Sequence, residues 1–447
     1  MKKLKSGQTV DRLSELPDAL ILKIISSLDM RDVVGTTLLS KRWNNLWTTI
    51  PCLCYVNYDI SHDNEEEIRN FISQALLLWK GSRIQKFKIH FCGDIYESFY
   101  RDMNWWLGFV TEKKVEELYL CLVCDDGLIN LPHFLYECSS IRKLSLVECG
   151  LHICGDVHWD QLKSLTIECY SVPEDVINRL LVGAPQLEIF ELSINASSIS
   201  SFTIRSRSLK KLSIKKNVYW IREFDQSWDA MLTIWTPNLE TLVISGAEYG
   251  KCLLMDVSSL TDMTLDFDDL WVMVPGETLR QFLPTFQRVE KLTLSSRCFE
   301  MLGFMKGKYS FSPFSNVKLL RVTCDLIKSN QIVGLLEIFP QLKMLDICQR
   351  RTIHSAMNPG EPFNSEVDTI KSLMMQLRIV EIGWYKYEKS IFEFIEFFLE
   401  HATVIEKMLI QNRGGTNVES DDMILAAEKL LSLQKSFPTV ELIFCKK

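Results

Sequence analysis

The residues best suited to chemistry form a short run of soft metal ligands in the first half of the chain. Cys149, His152 and Cys154 lie within six positions of one another, and thiolate and imidazole groups are common ligands of zinc. A structural zinc site needs about four ligands, usually in two paired halves, so the fourth would have to be His158 or Cys169. Because that arrangement is incomplete, we predict a loop with buried thiols and neither a metal nor any other cofactor.

A second pair of cysteines has the spacing of a redox centre. Cys121 and Cys124 are separated by two residues, as in thiol oxidoreductases, but the pair follows an apolar strand pattern and lacks a Trp-Cys-Gly-Pro context. We interpret both thiols as packing groups. The sequence also has no glycine-rich loop that could hold a phosphate. We therefore predict no catalytic residue and no enzymatic activity.

A six-residue sequence pattern, which we call the phrase, recurs along the chain and predicts the elements that position these residues. It consists of an apolar residue, two variable residues, an apolar residue, one variable residue and a final apolar residue. Successive copies start 21 to 35 residues apart, and leucine-rich repeats have the same core at a period of roughly 20–29 residues. Each copy predicts a short strand with alternate apolar residues turned inward. The thirteen copies begin at Ile84, Val115, Ile141, Leu162, Leu187, Leu209, Leu239, Leu260, Val289, Val317, Leu342, Leu377 and Ile405.

Segments with helical spacing separate these phrases. Val176, Leu180 and Leu181 stand on one helical face before Pro185. Since one repeat cannot bury its apolar face alone, stacked repeats must share a core. The predicted fold class is therefore α/β, with residues 84–376 forming an irregular leucine-rich-repeat solenoid that has parallel strands on the concave face and helices outside. In that solenoid Cys149 would take the buried position that the repeat gives to Asn or Cys.

Residues 11–50 lack the phrase and carry helix signals instead. Pro17 and Asp18 suit the start of a helix, while Asp29 can cap a second helix and Ser40 a third. Three helices in so short a stretch bury little core. The leftover apolar surface is therefore expected to dock on a partner helix.

This stretch resembles the F-box, the module by which substrate receptors bind the Skp adaptor of Skp-cullin-F-box ubiquitin ligases. The resemblance runs from Leu13 to Trp47, and the segment Ser40 to Trp47 is especially similar to plant F-box proteins. It implies a Skp-type adaptor, and through it a cullin, as partners. The residues that it assigns to the adaptor contact are Leu16, Pro17, Ile21, Ile24, Leu28, Val33, Leu39, Ser40, Trp43, Leu46 and Trp47.

Residues 377–447 resemble the FBD domain that closes many plant F-box and leucine-rich-repeat proteins. The segment includes a helix with a heavy aromatic face around Phe394 and Phe398, a strand from Ile405 to Ile410, and a second helix. We expect this α/β segment to cap the solenoid, because the last repeat would otherwise expose its core. Residues 51–83 are predicted to be a linker or an amino-terminal cap of the solenoid.

Side chains that alternate with the strand leucines are expected on the concave face, where a target protein would bind. They are mixed in sign, and two longer connections add aromatic residues, which carry much interface energy. An alternative is that these aromatic residues fill the core of long repeats. The predicted target-binding residues are Glu117, Tyr119, Lys143, Lys211, Lys291, Arg321, Trp220 and Trp271.

Composition narrows the class of function. The chain has 447 residues, of which 47% are hydrophobic, and a net charge of −7. The apolar content excludes disorder as the main state, and the acidic balance argues against nucleic acid as a partner. No run approaches the ~18 apolar residues of a membrane span, and the amino terminus has no secretory pattern. We therefore expect an intracellular protein, in the nucleus and/or cytoplasm, with no membrane partner.

Together these features predict the substrate-recognition subunit of a Skp-cullin-F-box ubiquitin ligase, with the F-box holding the adaptor and the repeats holding an unidentified target protein. Two alternatives remain. The repeats could form a receptor that a small molecule gates, or they could be a scaffold whose F-box engages no ligase.

Overall fold

A computed structural model of the protein describes residues 16–60, 64–93, 97–123, 128–195, 201–217, 231–246, 251–267, 276–308, 311–324, 334, 336–349, 374–384, 389–402, 404–412 and 420–446. The chain divides into two compact units. The first unit holds residues 1–195 and 204–209, and the second holds residues 196–203 and 210–447.

The first unit opens with short helices, namely α1 (Asp18–Ile25), α2 (Met30–Gly35) and α3 (Trp43–Leu46), with 3-10 turns at Thr36–Leu38 and Trp47–Thr49. The predicted cap of α2 is confirmed, because an Asp29 carboxylate oxygen accepts a hydrogen bond from the Arg31 amide at 2.9 Å. The predicted cap by Ser40 is wrong. Its hydroxyl finds no hydrogen-bond partner among the described residues, and only its carbonyl accepts from the Trp43 amide, at 3.1 Å.

A parallel sheet follows in the first unit. Six strands lie side by side in the order β1-β2-β3-β5-β7-β8, and β4 pairs with β6 separately. The strands are β1 (Cys52–Ile60), β2 (Lys86–Gly93), β3 (Glu117–Val123), β4 (Ile129–Asn130), β5 (Lys143–Val147), β6 (Cys149–Gly150), β7 (Ser164–Cys169) and β8 (Ile189–Ile194); the helices are α4 (Glu65–Leu78), α5 (Glu97–Glu112) and α6 (Glu174–Gly183). The stretch 51–83 thus contains β1 and α4, so the sheet begins one strand before the first phrase.

The second unit continues the pattern with nine parallel strands in the order β10-β12-β14-β15-β16-β17-β18-β19-β20. β9 (Phe202–Arg205) has residues in both units. The strands of the second unit then begin with β10 (Lys211–Lys216), β11 (Met231–Trp235), β12 (Thr241–Gly246), β13 (Lys251–Asp256), β14 (Asp262–Asp266) and β15 (Lys291–Ser295). They end with β16 (Leu319–Cys324), β17 (Met344–Gln349), β18 (Ile379–Trp384), β19 (Lys407–Asn412) and β20 (Glu441–Lys446). The helices are α7 (Gly276–Phe286), α8 (Ser296–Lys308), α9 (Lys389–His401) and α10 (Ser420–Ser436).

The outer layer differs from the expectation in one region. Between β10 and β14 the chain forms the parallel pair β11 and β13 outside the main sheet, where helices were expected. Alternate residues of β11 are buried, among them Leu232 and Ile234, so this strand closes the core as a helix would elsewhere.

The core confirms the repeat phrase. All thirteen phrases contain a strand of the parallel sheets, and the first apolar residue of each is buried, from fully buried Ile84 to Ile405 at 4% exposure. Along a strand such as β3, alternate residues are buried and those between them half-exposed. The α/β class and the leucine-rich-repeat solenoid after a helical amino-terminal region are therefore confirmed.

Candidate protein-binding surfaces

Four exposed apolar side chains lie in the amino-terminal helical region. Leu20 and Ile24 lie one turn apart on α1 and are 48% and 43% exposed. Leu38 and Leu39, after α2, are 90% and 56% exposed. We call these four residues the apolar ridge. Large apolar side chains left in water by a small helical unit are typical of a binding surface.

The predicted adaptor residues divide between this surface and the interior. Ile24, Leu39 and Pro17 are exposed, while Leu16, Leu28, Ser40 and Leu46 are partly buried. By contrast, Ile21, Val33, Trp43 and Trp47 are buried, at 0%, 0%, 3% and 7% exposure. Buried side chains offer no surface to a partner, so these four belong to the packed interior of the helical region.

Two ridge residues were missed as contact candidates. Leu20 belongs to the apolar stripe of α1, and its spacing of four residues from Ile24 could have identified it. Leu38 has no such signal, because its exposure depends on where the 3-10 turn Thr36–Leu38 ends against the neighbouring helices.

The helical region is attached directly to β1 and to the segment that follows α4. The second oxygen of the Asp29 carboxylate accepts a hydrogen bond from the Val56 amide of β1 at 2.8 Å. The Trp79 indole donates to the Ile50 carbonyl at 2.8 Å, and the Lys80 amide donates to the Thr48 carbonyl at 2.7 Å. The ridge and the first strands therefore belong to one compact unit.

A basic and aromatic cluster lies on the half-exposed face of β2, β3 and β5. Lys86, Glu117 and Lys143 are consecutive register partners. The ammonium groups of Lys86 and Lys143 lie 4.9 Å and 5.5 Å from the centre of the Tyr119 ring, and the Tyr119 hydroxyl donates to Glu117 Oε2 at 3.1 Å. A hydrogen bond to Tyr119 raises the pKa of Lys143, which therefore stays charged at neutral pH.

This cluster joins three of the predicted target-binding residues and adds Lys86, which sequence analysis missed. A signal was present, since Lys86 follows Ile84 by two residues, as Glu117 follows Val115 and Lys143 follows Ile141. Equal positions in successive phrases become neighbours in a parallel sheet.

In the second unit, the described residues that were predicted to bind the target do not form one cluster. Lys211 on β10 and Lys291 on β15 are separated by two intervening strands. Arg321 is instead paired with buried Asp346 on the next strand, at 2.5 Å. Trp220 and Trp271 lie outside the described residues.

The cysteines singled out in the sequence differ in burial where they are described. Burial raises the pKa of the Cys149 thiol well above its usual range, and its Sγ donates weakly to the Val147 carbonyl at 3.4 Å. Burial likewise raises the pKa of Cys121 to about 11, while Cys124 lies outside the described residues. His152 and Cys154 are exposed. Within the described part of the chain, no group of three or more His, Cys, Asp or Glu residues could hold a metal ion.

A family model described as the leucine-rich-repeat domain of At1g61320/AtMIF1 matches residues 77–435. The chain belongs to this leucine-rich-repeat family. The F-box domain model matches residues 13–55, so the chain is an F-box and leucine-rich-repeat protein. The repeat family extends past residue 377, across much of the segment that resembles the FBD domain.

Relatives of this F-box and leucine-rich-repeat protein occur in Arabidopsis thaliana. The F-box/FBD/LRR-repeat protein At5g56420 is 26% identical over 444 residues, which cover 97% of this chain and 99% of that protein. The F-box/FBD/LRR-repeat protein At1g13780 is 25% identical over 467 residues, covering 97% of each. The F-box/LRR-repeat protein At5g02910 is 27% identical over 350 residues, covering 76% and 72%.

Proposed function

We propose that this F-box protein is a substrate-recognition subunit of a Skp-cullin-F-box ubiquitin ligase. F-box domains generally bind Skp-type adaptors, and proteins that combine an F-box with leucine-rich repeats are generally non-catalytic adaptors. The F-box would hold a Skp-type adaptor, and through it a cullin, while the repeats would hold a target protein for ubiquitin transfer by other subunits.

The observation that carries this proposal is the apolar ridge. Its four side chains are exposed, while Ile21, Val33 and Trp43 of the same helical region are buried. A partner helix with its own apolar face would bury the ridge. Pro17, Leu16 and Leu46 lie partly or wholly exposed in the same helical region and complete the proposed contact.

Binding to a purified Skp-type adaptor tests the proposal. An Ile24→Asp and Leu39→Asp double variant should bind at least about 30-fold more weakly, because truncation of central interface residues often loses 2 kcal/mol or more. Isothermal titration calorimetry would measure the affinity. Circular dichroism would confirm that these exposed substitutions leave the fold intact.

Leu77→Asp provides the matched control. Leu77 is 69% exposed on α4, outside the helical region, and this variant should bind the adaptor as the wild type does. Absence of binding by the intact wild-type protein to any Skp-type adaptor would contradict the ligase function and favour the scaffold alternative.

Within cells, the target should accumulate only when degradation is blocked. Proximity labelling with and without proteasome inhibition would identify proteins enriched by inhibition. That enrichment should disappear in the Ile24→Asp and Leu39→Asp variant, because the target would no longer reach the ligase. Equal labelling with and without proteasome inhibition, in the wild type and in the variant, would contradict a role in degradation.

A further inference from the structure

Several cations that directly precede a strand are paired with a carboxylate of the adjoining repeat. Lys163 contacts Glu188 at 2.7 Å, and Lys318 contacts Glu290 at 2.7 Å. The Arg378 guanidinium contacts a carboxylate in the same way, 2.6 Å from Glu406. These exposed pairs contribute little stability individually, but in each of them the positive charge is neutralised by a neighbouring carboxylate.

The cluster on β2, β3 and β5 departs from this pattern. Among the described residues, Lys86, Lys88 and Lys143 form no ion pair within 4.0 Å; two of them contact the Tyr119 ring instead. The carboxylate between Lys86 and Lys143, that of Glu117, already accepts the Tyr119 hydroxyl. Lys143 uses one N–H in its hydrogen bond to Tyr119, but an ammonium group has three donors, so both lysines retain N–H groups for another acceptor.

The charges therefore do not cancel here. Glu191 lies on β8 in the row of Tyr119, and its charge adds to the hydrogen bond with Tyr119 in raising the pKa of Lys143. Three lysines and two glutamates therefore leave a net charge of about +1 near one aromatic ring, on a chain whose total charge is −7. Because the ring already holds two of the ammonium groups in place, a ligand that contacts them orders few additional side-chain bonds.

We infer that this face binds an acidic segment of the target protein, with carboxylates of the segment contacting Lys86 and Lys143 on either side of Tyr119. The inference rests on the proposed function, because it names the chemistry of the target that the repeats select. Opposite charge on the target would also speed its encounter with the repeats at low salt.

Fluorescence anisotropy of the purified full chain with a labelled 12-residue peptide of alternating glutamate and glycine tests this inference. The wild type should bind this peptide at least about tenfold more tightly than the matched glutamine and glycine peptide. A Lys86→Gln and Lys143→Gln double variant should bind the glutamate peptide about tenfold more weakly, which corresponds to two exposed charge contacts. Raising the salt concentration should weaken wild-type binding.

Lys163→Gln is the matched control, since it removes one positive charge from the same unit but from an ammonium group that Glu188 already neutralises. This variant should bind the glutamate peptide within about twofold of the wild type. Equal binding by the double variant, or equal binding of the glutamine peptide, would overturn the inference. So would a 12-nucleotide DNA strand that binds as tightly as the glutamate peptide, because the face would then select polyanions in general.

The assay contains no adaptor, so its result is independent of the ligase proposal. Lysine-dependent peptide binding by a protein that fails to bind any Skp-type adaptor would overturn the ligase function and leave this inference standing. Adaptor binding without peptide binding would overturn the inference alone.

Discussion

At the scale of single residues, Asp29 holds two elements with one carboxylate. One oxygen caps α2 through the Arg31 amide, and the other accepts from the Val56 amide. The register of β1 against β2 shifts between Tyr55 and Tyr58, and Val56 lies within this irregularity, where a strand leaves amides unpaired. The side chain thereby ties the helical region to the first strand.

Asp29→Asn should remove one of the two hydrogen bonds that this side chain accepts. An amide has a single acceptor oxygen, so it can satisfy either the Arg31 amide or the Val56 amide, but not both. We expect a loss of about 1–2 kcal/mol in the free energy of unfolding and faster hydrogen exchange at whichever amide is released. Hydrogen exchange read by mass spectrometry would measure both.

Asp32→Asn is the control for this prediction, because it removes the same charge from an exposed position of α2. It should change the free energy of unfolding by less than about 0.5 kcal/mol. If the two variants lose equal stability and exchange alike, the Asp29 contacts do not hold the elements together.

At the scale of elements, the end of β12 depends on a close approach between its backbone and that of β10. β12 ends at Gly246, whose φ is +84°, a left-handed backbone conformation. A Cβ at this position would lie 2.0 Å from the Lys216 carbonyl oxygen of β10. The glycine therefore allows two neighbouring strands to end side by side.

Gly246→Ala should lower the free energy of unfolding of the second unit by about 2 kcal/mol or more, because strain at positive φ adds to a clash with backbone. Denaturant unfolding would measure the loss. Gly108→Ala is the control: its Cβ would meet only the Phe134 ring, at 3.9 Å, within α5. That variant should be neutral or slightly stabilising. Equal stability of the two variants would contradict the role given to Gly246.

At the scale of the whole molecule, the carboxyl-terminal segment extends the sheet of the second unit. β18 pairs with β17, and β19 and β20 follow in parallel. Their buried residues, such as Val380, Met408 and Ile410, continue the same core. Strands β18, β19 and β20 of the segment that resembles the FBD domain thus extend the parallel sheet of that unit.

A chain that ends at Gln376 should expose the buried residues of β17, including Leu345 at 0% exposure. We expect it to unfold at a lower temperature than the full chain and to associate in size-exclusion chromatography, because the truncation opens both a core and a strand edge. The isolated segment 377–447 should not fold. A monomeric truncated chain with unchanged thermal unfolding, together with a folded isolated segment, would instead identify an independent domain.

The sequence by itself determined the strands and their spacing. The apolar residues at the end of each phrase alternate with variable ones, and a strand places such residues on one face. Thirteen strands could therefore be predicted without knowing which strands lie next to one another. The same local logic predicted the helical F-box region and the cap by Asp29.

Tertiary structure alone decided which residues meet across the chain. Packing between distant segments sets the outer pair β11 and β13, the contact of Asp29 with Val56 twenty-seven positions away and the burial of Trp43. The position of Lys86 beside Tyr119 depends on the register of β2 and β3. The spacing of apolar residues is a local property of the sequence. Burial and side-chain pairing instead depend on which segments, distant in sequence, pack against one another.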